Sequence, residues 1–269
     1  MASVFCVANQ KGGVGKTTTS VNLAAGLARI GQRVLLVDLD PQGNATMGSG
    51  VDKRQLRPSV YQALLGIAGL HEARRPSPQG GYDVLGANRE LAGAEVELVD
   101  QEQREHRLKD LLAGVDDEYD FVLVDTPPAL GLLTLNALCA ARGVIVPMQC
   151  EYFALEGLTD LVNTVRQVHA KLNPELVLIG LLRVMFDPRI TLQQQVSEQL
   201  KTHFGNKVFD AVIPRNVRLA EAPSYGLPGV VFDRASRGAQ AYIEFAEELV
   251  RRVGPPGRRS SPNAQETVA

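Results

Sequence analysis

The chain has no tryptophan, only three cysteines, and aromatic side chains at just 5% of its 269 residues. Each shortage excludes something. No apolar run approaches the ~20 residues that span a bilayer, and the N-terminus passes straight into a strand pattern without signal-peptide features. The expectation is a cytoplasmic protein that meets no membrane. Cys6, Cys139 and Cys150 are odd in number, lie in apolar stretches and lack ligand-like spacing, so they read as small buried hydrophobes, not as a disulfide or metal set. An excess of either charge is missing as well: 28 Lys and Arg face 30 Asp and Glu, a net charge of −2. Contact with nucleic acid therefore needs a local basic patch, or patches pooled by oligomerisation. The sequence offers no RNP motif or aromatic platform for reading bases. The base-reading Asn/Lys-x-Asp motif of GTPases is absent too, since "NKVFD" at 206–210 has the wrong order.

What remains is an ordinary apolar complement, 45% of the chain, enough for one sizeable core. Short runs, "SVFCVAN", "RVLLVDLD", "YDVLGAN", "FVLVDTPP", "GVIVPMQC" and "ELVLIGLLRVMF", alternate with helical patterns. Runs of this kind suit an α/β fold with a mostly parallel twisted sheet flanked by helices on both faces. "TTTSVNLAAGLARI" and "ALEGLTDLVNTVRQVHAK" read as amphipathic helices, the second placing Leu155, Leu158, Leu161, Val162, Val165 and Val168 on one core-facing side. Residues 52–81, Pro- and Gly-rich around "EARRPSPQGG", are expected to hold short helices and a surface loop. A single domain is expected over 1–253, and a disordered tail over 254–269, where too few apolar residues remain to bury.

Between the first strand and the first helix stands "ANQKGGVGKTTTS", residues 8–20. A turn that wraps a phosphate brings backbone N–H groups against its oxygens and needs residues without Cβ obstruction, which Gly12, Gly13 and Gly15 supply around Val14. Lys16 ends the loop, where an ammonium reaches the β and γ phosphates. Thr17 offers a hydroxyl to Mg²⁺, and the helix that opens through Thr17 and Thr18 adds the partial positive charge of its N-terminus. One feature departs from the common G-x-x-x-x-G-K-[ST] loop: Gln10 occupies the first glycine position, and a second lysine, Lys11, follows it. Asp38, Asp40 and Asp125 close apolar strands nearby, where an unpaired carboxylate is costly unless a cation or hydrogen bonds are at hand. For Asp38, a metal role and the plainer role of accepting a backbone N–H or pairing with a loop lysine are equally open.

"KGGVGKTT" resembles the deviant Walker A motif, xKGGxxK[ST], of the ParA/MinD ATPases. "RVLLVDLDPQGNAT" and "FVLVDTPP" look like that family's second acidic motif and Walker B strand, and "VIPRNVRLAEAPSYG" is similar to a segment of the chromosomal ParA (Soj) subgroup. The resemblance implies a P-loop NTPase and an ATP-driven switch in chromosome or plasmid segregation. It implies dimerisation around Mg-ATP, non-specific binding of double-stranded DNA by that homodimer on the nucleoid, and slow hydrolysis stimulated by a ParB-type partner. ATP in place of GTP rests on the resemblance alone.

Residue roles follow in the same way. The family likeness implies that Lys16 holds its own nucleotide while Lys11 reaches the partner's phosphates across the dimer, as an arginine finger does; contact of Lys11 with its own phosphates is the alternative. Asp40 positions or activates the attacking water, and Thr17, Asp40 and Asp125 form the metal set, the carboxylates acting through water. Pro127 and Pro128 stiffen a switch, "TPPALG", leading to a helix that starts near Leu132. Pro214 and Asn216 lie against adenine, and Met185 either adds apolar contact there or, as the plainer reading has it, packs in the core. Arg189 and Arg218 match arginines that meet DNA phosphates, in a region, 183–252, with ten Lys and Arg against eight Asp and Glu. Three rivals share the loop. A MinD-like membrane switch needs a terminal amphipathic helix that "GPPGRRSSPNAQETVA" cannot form, an iron–sulphur carrier needs more than Cys139 after Asp125, and a small-molecule synthetase needs a further substrate pocket, most plausibly from residues 52–81.

Overall fold

The computed structural model describes residues 2–115, 117–152 and 154–254, so the tail from 255 onward, and with it the expected disorder, lies outside the described residues. Strands β1 Ser3–Val7, β2 Val34–Asp38, β3 Arg74–Pro76, β4 Asp83–Leu85, β5 Phe121–Asp125, β6 Gly143–Met148, β7 Val177–Phe186 and β8 Val208–Pro214 form one sheet in the order β3-β4-β2-β5-β1-β6-β7-β8. β3 runs antiparallel to β4, and the other described pairs are parallel. The helices are α1 Lys16–Arg29, α2 Asn44–Gly48, α3 Val60–Leu64, α4 Leu70–Ala73, α5 Leu91–Glu97, α6 Arg107–Ala113, α7 Leu132–Ala140, α8 Ala154–Lys171, α9 Thr191–Phe204, α10 Val217–Glu221, α11 Gly229–Phe232 and α12 Arg237–Val253.

The unbroken apolar strands follow from a sheet that is covered twice. Side chains alternate along a strand: Cys6, Leu35, Val37, Val122 and Val124 enter one core with Leu133, Leu158, Leu161 and Leu200, while Phe5, Leu36, Phe121 and Leu123 enter another with Leu23, Leu27, Tyr242 and Phe245. Helices α7, α8 and α9 therefore cover one face, and α1 with α12 the other. On α8 the expected stripe is buried at Leu158, Leu161, Val165 and Val168, with Val162 packed at its edge; the side chain of Leu155 lies outside the described residues.

Two strands escape the sequence pattern. β3 is only Arg-Arg-Pro, too short and polar to show a period, and exists because β4 pairs with it. β8 is an edge strand in which buried Phe209, Ala211 and Ile213 alternate with exposed Asp210 and half-buried Val212, so it lacks the continuous apolar run of the central strands. Within 52–81 the short helices α3 and α4 form as expected, α3 starting from a capping box in which Ser59 and Gln62 satisfy each other's backbone donors.

The sheet also positions the chemistry. β1 lies between β5 and β6, and its outgoing connection leads through α1 to β2 beyond β5, which opens a crevice at the carboxyl end of β1. Register aligns Val7 and Asp38 with Asp125, so the loop after β1 and both acidic strand ends arrive at one level.

Candidate active site

Gly13 and Gly15 have φ of 74° and 77°, left-handed values that explain glycine at both positions. Gly15 is the N-cap of α1 and supplies no side-chain cap. The first helical bond, Thr19 N–H to Gly15 O at 2.8 Å, leaves the N–H groups of Lys16, Thr17 and Thr18 ahead of the ladder, where an anion can accept them. Gly12 is a different case. A Cβ added there would meet nothing within 4 Å, so the fold of the single chain does not require glycine at that position.

The two lysines point to different places. Lys16 is buried, 8% exposed, and its Nζ lies 3.3 Å from Lys11 O inside the loop. Burial pulls its pKa down, and the charges of Asp125 and Asp40 oppose that pull. Lys11 has a half-exposed side chain that leaves the loop to pair with Glu151. Its backbone N–H donates to Asn9 Oδ1, and Asn9 Nδ2 in turn donates to Pro147 O at the end of β6.

Asp125 is fully buried. Thr17 Oγ1 donates to its Oδ2 at 2.9 Å and Ser20 Oγ to its Oδ1 at 2.7 Å. Burial raises its pKa, the charge of Asp38 adds to the rise, and the two hydroxyls resist it. A buried carboxylate with hydroxyl donors, and no ion pair among the described residues, is one that a nearby cation would stabilise in its charged form. Ser20 is a partner that the sequence reading missed; its position one helical turn after Lys16 was the available signal.

Asp38 accepts from Thr46 N (2.8 Å), Thr46 Oγ1 (2.7 Å) and Asp40 N (3.1 Å). Those bonds tie the start of α2 and the Asp40 turn to the end of β2, which is the plainer of its two expected roles. Asp40 is half-buried and accepts Gln42 N–H through Oδ1 at 2.9 Å. Its Oδ2 has no hydrogen-bond partner among the described residues.

Met185 departs from expectation. It is not in the core but half-buried at the end of β7, with φ of 52°, a conformation that costs a non-glycine residue roughly 1–2 kcal/mol. Its Cε would stand 3.6 Å from a Cβ on Gly15, which places it against the loop. Pro214 ends β8 and is half-buried; Asn216 caps α10, its Oδ1 accepting Leu219 N–H. The arginines are already paired with carboxylates. Arg189 grips Asp187 through Nε and Nη2 and holds its carboxyl down at about 2, while Arg218 meets Glu221 at 3.0 Å and Asp233 at 3.4 Å.

Comparison with known proteins agrees with this geometry. A family described as an AAA domain matches residues 2–178. The chromosome-partitioning ATPase Soj of Thermus thermophilus is 53% identical over 93% of this chain and 96% of its own length. The sporulation initiation inhibitor protein Soj of Bacillus subtilis is 51% identical over 93% of this chain and 98% of its own. A crystal structure from Mycobacterium smegmatis, described as cobyrinic acid a,c-diamide synthase with bound ADP and magnesium, is 41% identical, covers 94% of this chain and 96% of that one, and has a TM-score of 0.83.

Proposed function

The chain belongs to the ParA/MinD family of P-loop ATPases, with chromosome-partitioning Soj proteins among its relatives, and on that footing we propose that it is a Mg-ATP-dependent partitioning switch. In this reading one domain, residues 1–253, dimerises around ATP, binds duplex DNA without regard to sequence, and lets go after a hydrolysis that a ParB-type partner stimulates.

The observation that carries the reading is the contrast between the lysines: Lys16 is turned into its own loop, Lys11 away from it. The backbone donors of Gly13, Val14, Gly15, Lys16, Thr17 and Thr18 hold the phosphates, and the Lys16 ammonium moves from Lys11 O to the β and γ oxygens. The Thr17 hydroxyl, with the carboxylates of Asp40 and Asp125, would hold the magnesium. When bound, ATP would supply the transferable phosphoryl group and magnesium a positive charge that offsets the negative charge of the phosphates. Asp40 orients the attacking water and accepts its proton. Pro214, Asn216 and Met185 border the base. Lys11 exchanges Glu151 for the phosphates of a second subunit, and Gly12, which the single chain does not need as glycine, leaves room for that subunit's loop.

Arg189 and Arg218 contact DNA by exchanging their carboxylates for phosphates. Exposed ion pairs are weak and screened by salt, so the exchange costs little. By two-fold symmetry either Arg→Ala substitution removes two contacts per dimer. The slope of log K against log salt is then expected to shrink by roughly 1.8, with ATP binding and dimerisation unchanged. An unchanged slope with lowered affinity would mean that the arginine acts through folding or dimerisation.

The name of the Mycobacterium structure raises a second reading, a synthetase. It needs a pocket for an acceptor, expected from residues 52–81, where Ser77 is instead buried and donates to Ser49 O at 2.7 Å, beside Tyr82 Oη, which lies 2.8 Å from Ser49 Oγ. The partitioning relatives are also the more similar ones, at 53% and 51% against 41%.

A further inference from the structure

A contact from outside the loop fixes one of its peptide planes. Gln149, just past β6, donates through Nε2 to Gly13 O at 3.0 Å, and the same nitrogen lies 3.2 Å from Met185 Sδ. In a trans peptide the carbonyl of one residue and the N–H of the next point in opposite directions. Holding Gly13 O against Gln149 therefore turns the Val14 N–H away from Gln149. Gly13 at φ 74° would otherwise be free to rotate, and no side chain of its own can restrain it.

The surrounding contacts support a built arrangement. Pro147 O accepts Asn9 Nδ2, Glu151 holds Lys11, and Gln149 holds Gly13, so residues 147–151 engage the first half of the loop at every second residue. Glu151 N–H donates to Gln149 O at 3.0 Å, a tight turn that brings both side chains to the loop. Met185, whose Sδ meets that same nitrogen, has a left-handed backbone that a non-glycine residue rarely adopts.

We infer that Gln149 is a positioning residue for phosphate binding: it pre-orients the Gly13–Val14 peptide so that the Val14 N–H is already aimed at the β-phosphate. The inference rests on the loop at 8–18 being the phosphate site, and it does not depend on dimerisation or DNA. Gln149→Leu keeps the volume and the contact with Met185 but removes the donor. Loss of one pre-orienting hydrogen bond is expected to weaken ADP binding about five- to ten-fold, with an unchanged melting temperature in the absence of nucleotide.

The deciding signal is the Val14 amide resonance of the full chain titrated with ADP. Wild type is expected to show a large ADP-induced shift, and Gln149→Leu a broadened or reduced one even at saturation. Gln149→Glu should be at least as impaired, because a carboxylate repels the Gly13 carbonyl, whereas a role in packing alone predicts that it behaves like wild type. The inference fails if Gln149→Leu binds ADP with wild-type affinity, or if its Val14 shift at saturation equals that of wild type. Lys16→Ala is the control. If it binds ADP like wild type the phosphate-site reading itself is wrong, and if it loses ADP while Gln149→Leu does not, only the role of Gln149 is wrong.

Discussion

Lys16→Ala is expected to lose nucleotide, with ADP and ATP affinity falling on the order of 100-fold or more, because two charge-assisted contacts to phosphate oxygens disappear from a site shielded from water. Lys11→Ala is expected to bind ADP and monomeric ATP near wild-type strength and yet to stay monomeric when ATP is added. The difference follows from where each ammonium stands: one buried in the loop, the other outside it against Glu151. Gly12→Val should share the second phenotype. An added side chain there has open space in the single chain, so it leaves the loop intact, and the clash comes only when a second subunit approaches. Size-exclusion chromatography with ATP, alongside equilibrium binding of ADP, separates the two lysines. Equal loss of nucleotide affinity in Lys11→Ala and Lys16→Ala would end the assignment of Lys11 to the partner's phosphates.

Asp40→Ala is expected to give the opposite defect: an ATP-bound dimer that forms and persists while turnover drops by about 10²- to 10⁴-fold, the usual contribution of a positioned general base. The phosphate donors and Lys16 remain in place, so binding survives. Asp40 is well suited to this separation. Asp38 anchors its backbone through Asp40 N, and Gln42 N–H holds one carboxylate oxygen, which restrains the side chain. Single-turnover hydrolysis on preformed dimers is the measurement. Wild-type turnover in the variant would remove Asp40 from the mechanism.

The loop and its flanking elements were legible because their constraints are local: glycines at left-handed positions, a lysine and threonine opening a helix, and apolar strands that end in aspartates. The central strands were legible for a related reason, since a sheet covered on both faces needs continuous apolar runs. Contacts that join distant segments were not. Nothing near Gln149 in sequence points to Gly13, 136 residues earlier, and Met185 carries two readings until its side chain is seen beside Gly15. Asp38 carried two readings because sequence shows a carboxylate at a strand end and not the Thr46 donors that occupy it. The arginines were legible as charges but not as partners of Asp187, Glu221 and Asp233, whose pairing sets what phosphate has to displace. β3 and β8 were hidden because edge strands owe their formation to a neighbour more than to their own pattern.

The most direct test of the switch is equilibrium binding of the wild-type chain to two duplexes of unrelated sequence at low salt, with magnesium and either ATP or ADP. The account predicts binding with ATP, of like affinity for both duplexes, and little with ADP, since only ATP brings Lys11 and a second subunit together and so doubles the arginine contacts. Equal binding in ATP and ADP, or none in ATP, would contradict it.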